Sequence, residues 1–311
     1  MSYRITAFFK ADYTPTSLSL CLKKRSIGAE KPLPPYYTVL QSGDPSLVYL
    51  LIAPGGGSCT SYLDLSQHLS PSATIVAVEH PNFASAHSSV DSDPKRYSVN
   101  DLGKMYANDL KRLFETMKEC VLIGASFGGV VAVELYQHIS EAGILVKSLN
   151  LLDSPWPTSE SIVDALKPSS VISNLFGDTV RDALFKHPHV IGQFPPDIPS
   201  QCASMISIIN DALSYTNSDD RDAFERHNWR VLIRVYIENL HTLREFTFSQ
   251  DLRLEVPVLY FRATLNEASA GLDLWKVAIP RLSAHDIEAD HASLYSGVNA
   301  QKVSVLISGN S

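Results

Sequence analysis

A short apolar run that ends in a glycine-flanked serine most constrains how this chain can fold. Residues 121–123 are apolar, the pentapeptide GASFG follows at 124–128, and apolar residues at helical spacing begin at Val130. A serine on so tight a strand-to-helix turn adopts a strained backbone, so its neighbours two positions away must be small. The turn exposes the hydroxyl of Ser126 and directs the amide of Phe127 towards developing negative charge. The pattern predicts a nucleophile at Ser126; the alternative is a glycine-rich turn with an incidental serine.

A second glycine-rich stretch follows an earlier apolar run. Residues 47–53 predict a buried strand, and three consecutive glycines begin at Gly55. A phosphate-binding loop would need Lys-Ser or Lys-Thr at a fixed spacing, and neither follows. The stretch is better explained as half of an oxyanion hole, in which Gly55 or Gly56 brings a backbone amide close to a carbonyl oxygen. A purely structural turn is the alternative.

Strand and helix patterns alternate along much of the chain. Strands are predicted at 37–40, 47–53, 73–78, 121–123, 145–152, 256–262 and 282–288; a polar loop at 80–97; and helices at 61–69, from Ser98, from Val130, and at 205–213, 221–226, 229–243 and 298–307. This alternation predicts an α/β fold with a mostly parallel, doubly wound sheet and helices on both faces.

Strand patterns stop between Pro155 and about Leu254. Short helical patterns occupy this stretch, which is too long for a loop in a compact domain. We therefore expect a helical lid insertion at about 155–254, over the active-site edge of one domain that spans residues 36–311. Residues 1–35 end in a stiff proline-rich segment and are expected to form an N-terminal extension or linker.

Composition narrows the setting of the protein. Hydrophobic residues make up 45% of the chain and charged residues 19%, which is typical of a globular protein with ample core. A formal net charge of −7 argues against nucleic acid as a partner. The four cysteines, at positions 21, 59, 120 and 202, form no C-x-x-C pair and indicate reduced thiols. No apolar run is long enough to span a bilayer, and charge interrupts the N-terminus too early for a signal peptide, so we expect a soluble, cytoplasmic protein.

A serine nucleophile needs a general base, and the base needs an acid that orients it. When a G-x-S-x-G serine lies between strand and helix, the histidine comes last in the chain, after the final strand. His291 lies directly after the predicted last strand, whereas His285 lies within it and would be held on one face of the sheet. We therefore expect His291 to be the base.

The acid has more than one candidate. Asp153 closes the strand that follows the nucleophile strand, just before Ser154 and Pro155. The more usual position is after the next strand, where Asn266, Glu267 and Asp273 stand. We favour Asp153, because it follows an apolar run directly and would abut the sheet edge beside the histidine; Glu267 is the alternative. A turn or helix-capping aspartate is the structural explanation of Asp153.

Together these motifs resemble the thioesterase domains that end nonribosomal peptide and polyketide synthases, and the related stand-alone and fatty-acid-synthase thioesterases. The resemblance runs from about Val39 to Ile307 and is carried by VLQSG at 39–43, APGGG at 53–57 with Tyr62, GASFGG at 124–129 leading into VAVEL at 131–135, LLDSP at 151–155, Trp275, and DHASL at 290–294. Many members have His in place of Ala53 and Gly in place of Ala289, and residues 1–35 match nothing in the family. The resemblance implies an α/β-hydrolase fold, and the family's frequent use of an acid after the strand following the nucleophile strand supports Asp153.

The resemblance also implies the reaction. It would be acyl transfer from a pantetheine thioester through an acyl-Ser126 intermediate, ending in hydrolysis or in cyclisation. His291 and Asp153 would serve the serine, and the amides of Phe127 and of Gly55 or Gly56 would hold the oxyanion. No metal or cofactor is implied; the acyl chain would arrive on the phosphopantetheine arm of a carrier protein or synthase. A serine esterase or acyltransferase that uses other acyl donors, and a non-catalytic binder, are the alternatives.

A carrier protein is usually acidic, so this acidic chain would need a local basic patch to bind one. The candidates are four arginines of the expected lid, Arg221, Arg226, Arg230 and Arg234.

Overall fold

The computed structural model describes residues 33–86, 95–113, 117–140, 143–157, 162, 164–176, 195–214, 229–249, 252–265 and 271–309. The predicted extension at 1–35 therefore lies outside the described residues up to position 32, as does the helix predicted at 221–226.

Seven strands of the described chain form one sheet. They are β1 (Tyr37–Gln41), β2 (Asp44–Ile52), β3 (Ala73–Val78), β4 (Glu119–Ala125), β5 (Leu145–Leu152), β6 (Val258–Ala263) and β7 (Ser283–Ile287). Their order across the sheet is β1-β3-β2-β4-β5-β6-β7. β1 pairs antiparallel with β3, and all the other pairs are parallel. The predicted mostly parallel sheet is confirmed.

Helices connect the strands and cover the sheet. The described helices are α1 (Leu63–His68), α2 (Pro81–Ala86), α3 (Val99–Leu113), α4 (Phe127–Ser140), α5 (Pro168–Phe176), α6 (Ile198–Ser214), α7 (Trp229–Glu245), α8 (Leu272–Ala278) and α9 (Gly297–Ser308). Helices α5, α6 and α7 lie between β5 and β6, in the stretch expected to form the lid, and α7 packs against both α5 and α6.

The apolar run of β2 divides its side chains between two cores. Val48, Leu50 and Ile52 belong to the core that also contains residues of α3, α4 and α7. Tyr49 and Leu51 belong to the core on the opposite face, which contains residues of α1 and α9. Successive side chains of a strand point to opposite faces, so a strand that is apolar at every position must be covered on both. This is the physical basis of the layered fold.

The structure differs from the sequence expectations in three short helices. Helix α2 occupies part of the predicted polar loop at 80–97, and α8 lies where no helix is predicted; α5 lies in the expected helical stretch but has no predicted range of its own. Helix α2 has only six residues and begins with Pro81, and no helical repeat of apolar positions can be recognised over so few residues. Within the part of the chain that the structure describes, no helix is long and apolar enough to cross a membrane.

Candidate active site

The loops that carry the predicted functional residues all leave the sheet at its carboxyl edge. The glycine loop follows β2, Ser126 follows β4, Asp153 follows β5, and His291 comes shortly after β7. Because these strands are parallel, their carboxyl ends meet at one edge, where ligands bind in open α/β sheets. This edge is the candidate active site.

Ser126 lies on a sharp turn between β4 and α4. It is a non-glycine residue with a positive φ of 52°, and its amide donates a hydrogen bond to the carbonyl of Leu152 at 2.9 Å. A Cβ at Gly124 would lie 2.3 Å from the Gly128 carbonyl oxygen, and one at Gly128 would lie 2.4 Å from that of Ile52. The two glycines of the pentapeptide are therefore required by backbone contacts, and the turn has the strained geometry that the pattern predicts.

Phe127 begins helix α4 directly after the serine and is buried. The first amides of a helix have no partner within the helix and carry its positive end. The amide of Phe127 is thus in a position suited to a developing anion beside Ser126.

His291 and Asp153 are in direct contact. The imidazole Nδ1 lies 2.8 Å from Asp153 Oδ2, and both side chains are largely buried. The amide of Ala263, at the end of β6, donates to the other carboxylate oxygen at 3.3 Å. With Nδ1–H donating to the carboxylate, Nε2 is left to accept a proton from a third group. The backbone of Asp153 has a positive φ of 45°, so this residue, like Ser126, turns sharply as it leaves its strand.

The competing candidates occupy other environments. His285 lies within β7, and its ring stacks on Phe261 with 5.5 Å between ring centroids. Asp273 lies exposed on α8. Asn266 and Glu267 fall outside the described residues. Among the described candidates, the structure therefore pairs only Asp153 with His291.

The turn at Asp153 is held by groups that the sequence patterns did not single out for this purpose. The carbonyl of Ser154 accepts hydrogen bonds from the Tyr260 hydroxyl at 3.0 Å and from the Trp275 indole at 2.9 Å. The Ser154 hydroxyl donates to the carbonyl of Gly124 at 3.3 Å, which links the turn to the end of β4. The sequence signal was the pair of aromatic residues, since the polar atom of a buried Tyr or Trp usually has a partner.

The glycine loop, residues 54–57, is a tight turn in which the carbonyl oxygens of Pro54, Gly55 and Gly57 accept hydrogen bonds. Gly57 donates its amide to Pro54 at 2.8 Å, His80 donates its amide to Gly57 at 2.9 Å, and the Asn239 side chain donates to Gly55 at 2.8 Å. Within the described part of the chain, nothing accepts a hydrogen bond from the amide of Gly55 or Gly56.

Tyr62 joins the ends of two strands just before the loops that they carry. Its buried hydroxyl donates to the carbonyl of Ile52 at 2.8 Å and accepts from the amide of Ala125 at 2.7 Å. β2 leads into the glycine loop and β4 into Ser126, so this hydroxyl fixes the separation of the two loops.

Two titratable side chains lie beside the glycine loop. Burial lowers the pKa of His80 to about 3, so its ring is neutral, and its Nδ1 accepts a hydrogen bond from the amide of Asn82 at 3.2 Å. Burial raises the pKa of the Glu79 carboxyl to about 7, partly offset by the amide of Cys59. Both shifts follow from the cost of placing a charge away from water.

Two of the four arginines proposed as a basic patch can be described. The Arg230 guanidinium lies 4.3 Å above the ring of Trp229 and donates to Asn210. Arg234 pairs with Glu238 at 3.3 Å on the next turn of α7. Both already have partners within the chain. Arg221 and Arg226 lie outside the described residues.

Comparison with known proteins agrees with the fold. Residues 50–170 match the family model described as "Thioesterase domain". This segment includes the glycine loop, Ser126 and Asp153, whereas His291 lies beyond it. The chain is 28% identical over 152 residues to the non-reducing polyketide synthase Preu8 of Preussia isomera, covering 47% of this chain and 6% of that protein.

Two solved structures illustrate the shared fold. A four-domain nonribosomal peptide synthetase, AB3403, aligns with a TM-score of 0.62 and 17% identity over 91% of this chain and 20% of its own. The RedJ thioesterase of the prodiginine pathway in Streptomyces coelicolor aligns with a TM-score of 0.58 and 16% identity over 94% of this chain and 95% of its own. The chain thus spans a small part of the two synthases and nearly all of the RedJ thioesterase. The chain therefore has the α/β-hydrolase fold, and its residues 50–170 match the thioesterase domain family model.

Proposed function

We propose that this protein is a serine thioesterase that releases an acyl, peptidyl or polyketide chain from a pantetheine thioester on a carrier protein or synthase. The observation that carries the proposal is the 2.8 Å contact between His291 and Asp153 at the sheet edge where Ser126 leaves β4 on its strained turn. A base oriented by a carboxylate, beside a nucleophile on such a turn, is the arrangement that acyl transfer through serine requires.

In the first half of the reaction, His291 Nε2 accepts the Ser126 hydroxyl proton as Oγ bonds to the thioester carbonyl carbon. The carbonyl oxygen becomes an oxyanion, which the amides of Phe127 and of Gly55 or Gly56 stabilise. The C–S bond then breaks, the pantetheine thiol leaves with the proton from His291, and the acyl group remains as an ester of Ser126. Asp153 stays ionised and stabilises the imidazolium while it exists.

In the second half, His291 removes a proton from the incoming nucleophile, which attacks the acyl-serine. Water gives a free acid, and a hydroxyl or amine within the acyl chain gives a lactone or a lactam. The proton returns to Ser126 Oγ, which restores the serine. The protein's own side chains supply every proton transfer in this scheme, so no cofactor is required beyond the pantetheine arm that carries the substrate.

The helices between β5 and β6 support a lid over this site. Helix α7 packs directly on the glycine loop, where a Cβ added at Gly55 would lie 2.6 Å from the ring of Tyr236. Leu175 of α5 and Leu232 of α7 both lie next to Gly56. Apolar side chains beside the expected oxyanion loop favour a hydrophobic portion of the acyl chain.

The test is thiol release from acyl-N-acetylcysteamine and acyl-pantetheine thioesters and, in parallel, product release from the matching oxygen esters. Wild type is compared with Ser126→Ala and with Ser308→Ala, which alters an exposed serine of α9. We expect thiol release by wild type and Ser308→Ala, loss of release in Ser126→Ala, and an acyl adduct of wild type in the intact-protein mass spectrum. The mass of the product distinguishes hydrolysis from cyclisation.

Equal thiol release by wild type and Ser126→Ala, with no acyl adduct, would exclude the serine mechanism. Higher kcat/KM for the oxygen esters than for the thioesters would favour an esterase or acyltransferase. Failure of a fluorophosphonate to label Ser126 in wild type would favour a non-catalytic binder on the same fold.

A further inference from the structure

A buried asparagine of helix α7 is hydrogen-bonded to the glycine loop. Asn239 is only 2% exposed, and its side-chain amide donates to the carbonyl oxygen of Gly55 at 2.8 Å. The two residues are 184 positions apart in sequence. A polar side chain is buried at this depth only where a hydrogen bond offsets its lost hydration, so the contact is a specific one.

Asn239 belongs to a face of α7 that covers the three glycines of the loop. Leu232, Val235, Tyr236 and Asn239 are spaced by three and four residues and therefore lie on one side of the helix. A Cβ at Gly55 would lie 2.6 Å from Tyr236, one at Gly56 would lie 3.1 Å from Leu232, and one at Gly57 would lie 2.8 Å from Val235. The three glycines permit this close approach of helix and loop.

The hydrogen bond at the Gly55 carbonyl makes the conformation of the loop depend on α7. A glycine has free backbone torsions, so a run of three has little conformational preference of its own. The carbonyls of Pro54 and Gly57 accept hydrogen bonds from the backbone amides of Gly57 and His80, respectively. The carbonyl of Gly55 instead accepts one from a side chain of α7. Asn239 thereby orients the peptide that joins Gly55 to Gly56, and with it the amide of Gly56.

We propose that Asn239 is a positioning residue that preorganises the oxyanion loop. The inference rests on the proposed thioesterase function and assigns to α7 a part in catalysis besides that of a lid. Amides stabilise an oxyanion only if they already point at it before charge develops, because reorganisation during the reaction would consume the gain. Asn239 acts through the loop and contacts no reacting atom.

The test compares three replacements of Asn239, to Ala, Ser and Asp, with Thr242→Val. The aspartate is close in size to asparagine, but its carboxylate has no proton to donate and repels the Gly55 carbonyl. Thr242 is also buried on α7, and its hydroxyl donates to the carbonyl of Tyr97 at 3.2 Å, away from the glycine loop. Its replacement therefore removes a comparable hydrogen bond from the same helix.

We expect the Asn239 variants to lose about 10- to 100-fold in kcat for thioesters, with KM within about threefold of wild type. The rate at which a fluorophosphonate labels Ser126 should fall in parallel, since the phosphonyl oxygen uses the same amides. Thr242→Val should keep both rates close to those of wild type. Circular dichroism identifies the variants that are folded, and the comparison is made on these.

A folded Asn239 variant with wild-type kcat and labelling rate would overturn the inference. An equal loss of kcat in Thr242→Val would overturn it too, because the effect would then belong to the helix in general. If wild type is labelled but releases no thiol from any thioester, the proposed function fails while the labelling rates still test Asn239. If wild type is neither labelled nor active, both proposals fall.

Discussion

Ser126 and Asp153 are the two non-glycine residues of the described chain with a positive φ, and each directly follows the last residue of a parallel strand. Such a backbone costs about 1–3 kcal/mol and persists only where the surroundings enforce it. Here one contact joins the two turns, because the amide of Ser126 donates a hydrogen bond to the carbonyl of Leu152, the residue before Asp153. The carbonyl of Ser154, the residue after Asp153, accepts hydrogen bonds from Tyr260 and Trp275. The strain therefore lies where the proposed nucleophile and its acid must point away from the sheet.

Asp153→Asn tests the proposed role of the acid. An amide can still bond to His291 but stabilises the wrong tautomer and no imidazolium, so we expect kcat for a thioester to fall by about 10³- to 10⁴-fold with the fold intact. Asp273→Asn, which alters an exposed carboxyl on α8, should leave kcat unchanged. If Asp153→Asn retained wild-type kcat while Glu267→Gln lost it, the acid would be Glu267.

The position of Ser126 also depends on how strand β4 meets helix α4. Gly128 lies in the first turn of α4 with its Cα packed against the carbonyls of Ile52 and Ala53, at the end of β2. Gly124 packs in the same way on Gly128 itself. Strand, turn and helix can approach this closely only because neither residue has a side chain.

Gly128→Ala tests this packing. The added methyl group would lie 2.4 Å from one backbone oxygen and 2.5 Å from another, so α4 must shift. Overpacking of this kind costs about 1–3 kcal/mol, which urea denaturation would detect, and a displaced turn should also lower the rate at which a fluorophosphonate labels Ser126. Gly309→Ala is the control, because its Cβ would lie 3.4 Å from its nearest neighbour. Equal stability of the two variants would contradict the packing argument.

The whole molecule has two hydrophobic cores, one on each face of the sheet. Ionisable groups such as Glu79 are largely buried at the carboxyl edge between them. Burial raises the pKa of Glu79 from 4.5 to about 7 in the folded chain. Between these two pH values the folded state keeps a proton that the unfolded state has lost. Ionisation of Glu79 therefore destabilises the fold progressively as pH rises through this range.

Glu79→Gln should relieve that cost. The shift in the pKa of Glu79 corresponds to a loss on the order of 3 kcal/mol in the free energy of unfolding above pH 7. We expect the variant to gain stability over wild type at pH 8 and to lose this advantage below about pH 4.5, where both forms are neutral. Urea denaturation across this pH range measures the difference, with Glu288→Gln, at an exposed position, as the control. A stability difference between Glu79→Gln and wild type that does not change with pH would contradict the raised pKa of Glu79.

The strands and the candidate site residues that follow them are predictable from the sequence. Runs such as 47–53 and 73–78 are apolar at nearly every position, as is typical of strands that are buried on both faces. The GASFG turn depends on neighbours within two residues, so it was readable locally. Asp153 and His291 were predicted from their places after strands; their catalytic roles stay a prediction.

The groups that meet at the edge of the sheet come from distant parts of the chain, and only the folded chain shows which of them are in contact. The bond from Trp275 to Ser154 spans 121 residues, that from His291 to Asp153 spans 138, and that from Asn239 to Gly55 spans 184. Local propensity and periodicity hold no information at such separations, and short helices such as α2 and α8 carry too few apolar positions to show a repeat. Sequence order indicates which residues can act, whereas the contacts of α7 with the glycine loop and of α8 with the turn at Asp153 determine how they are held.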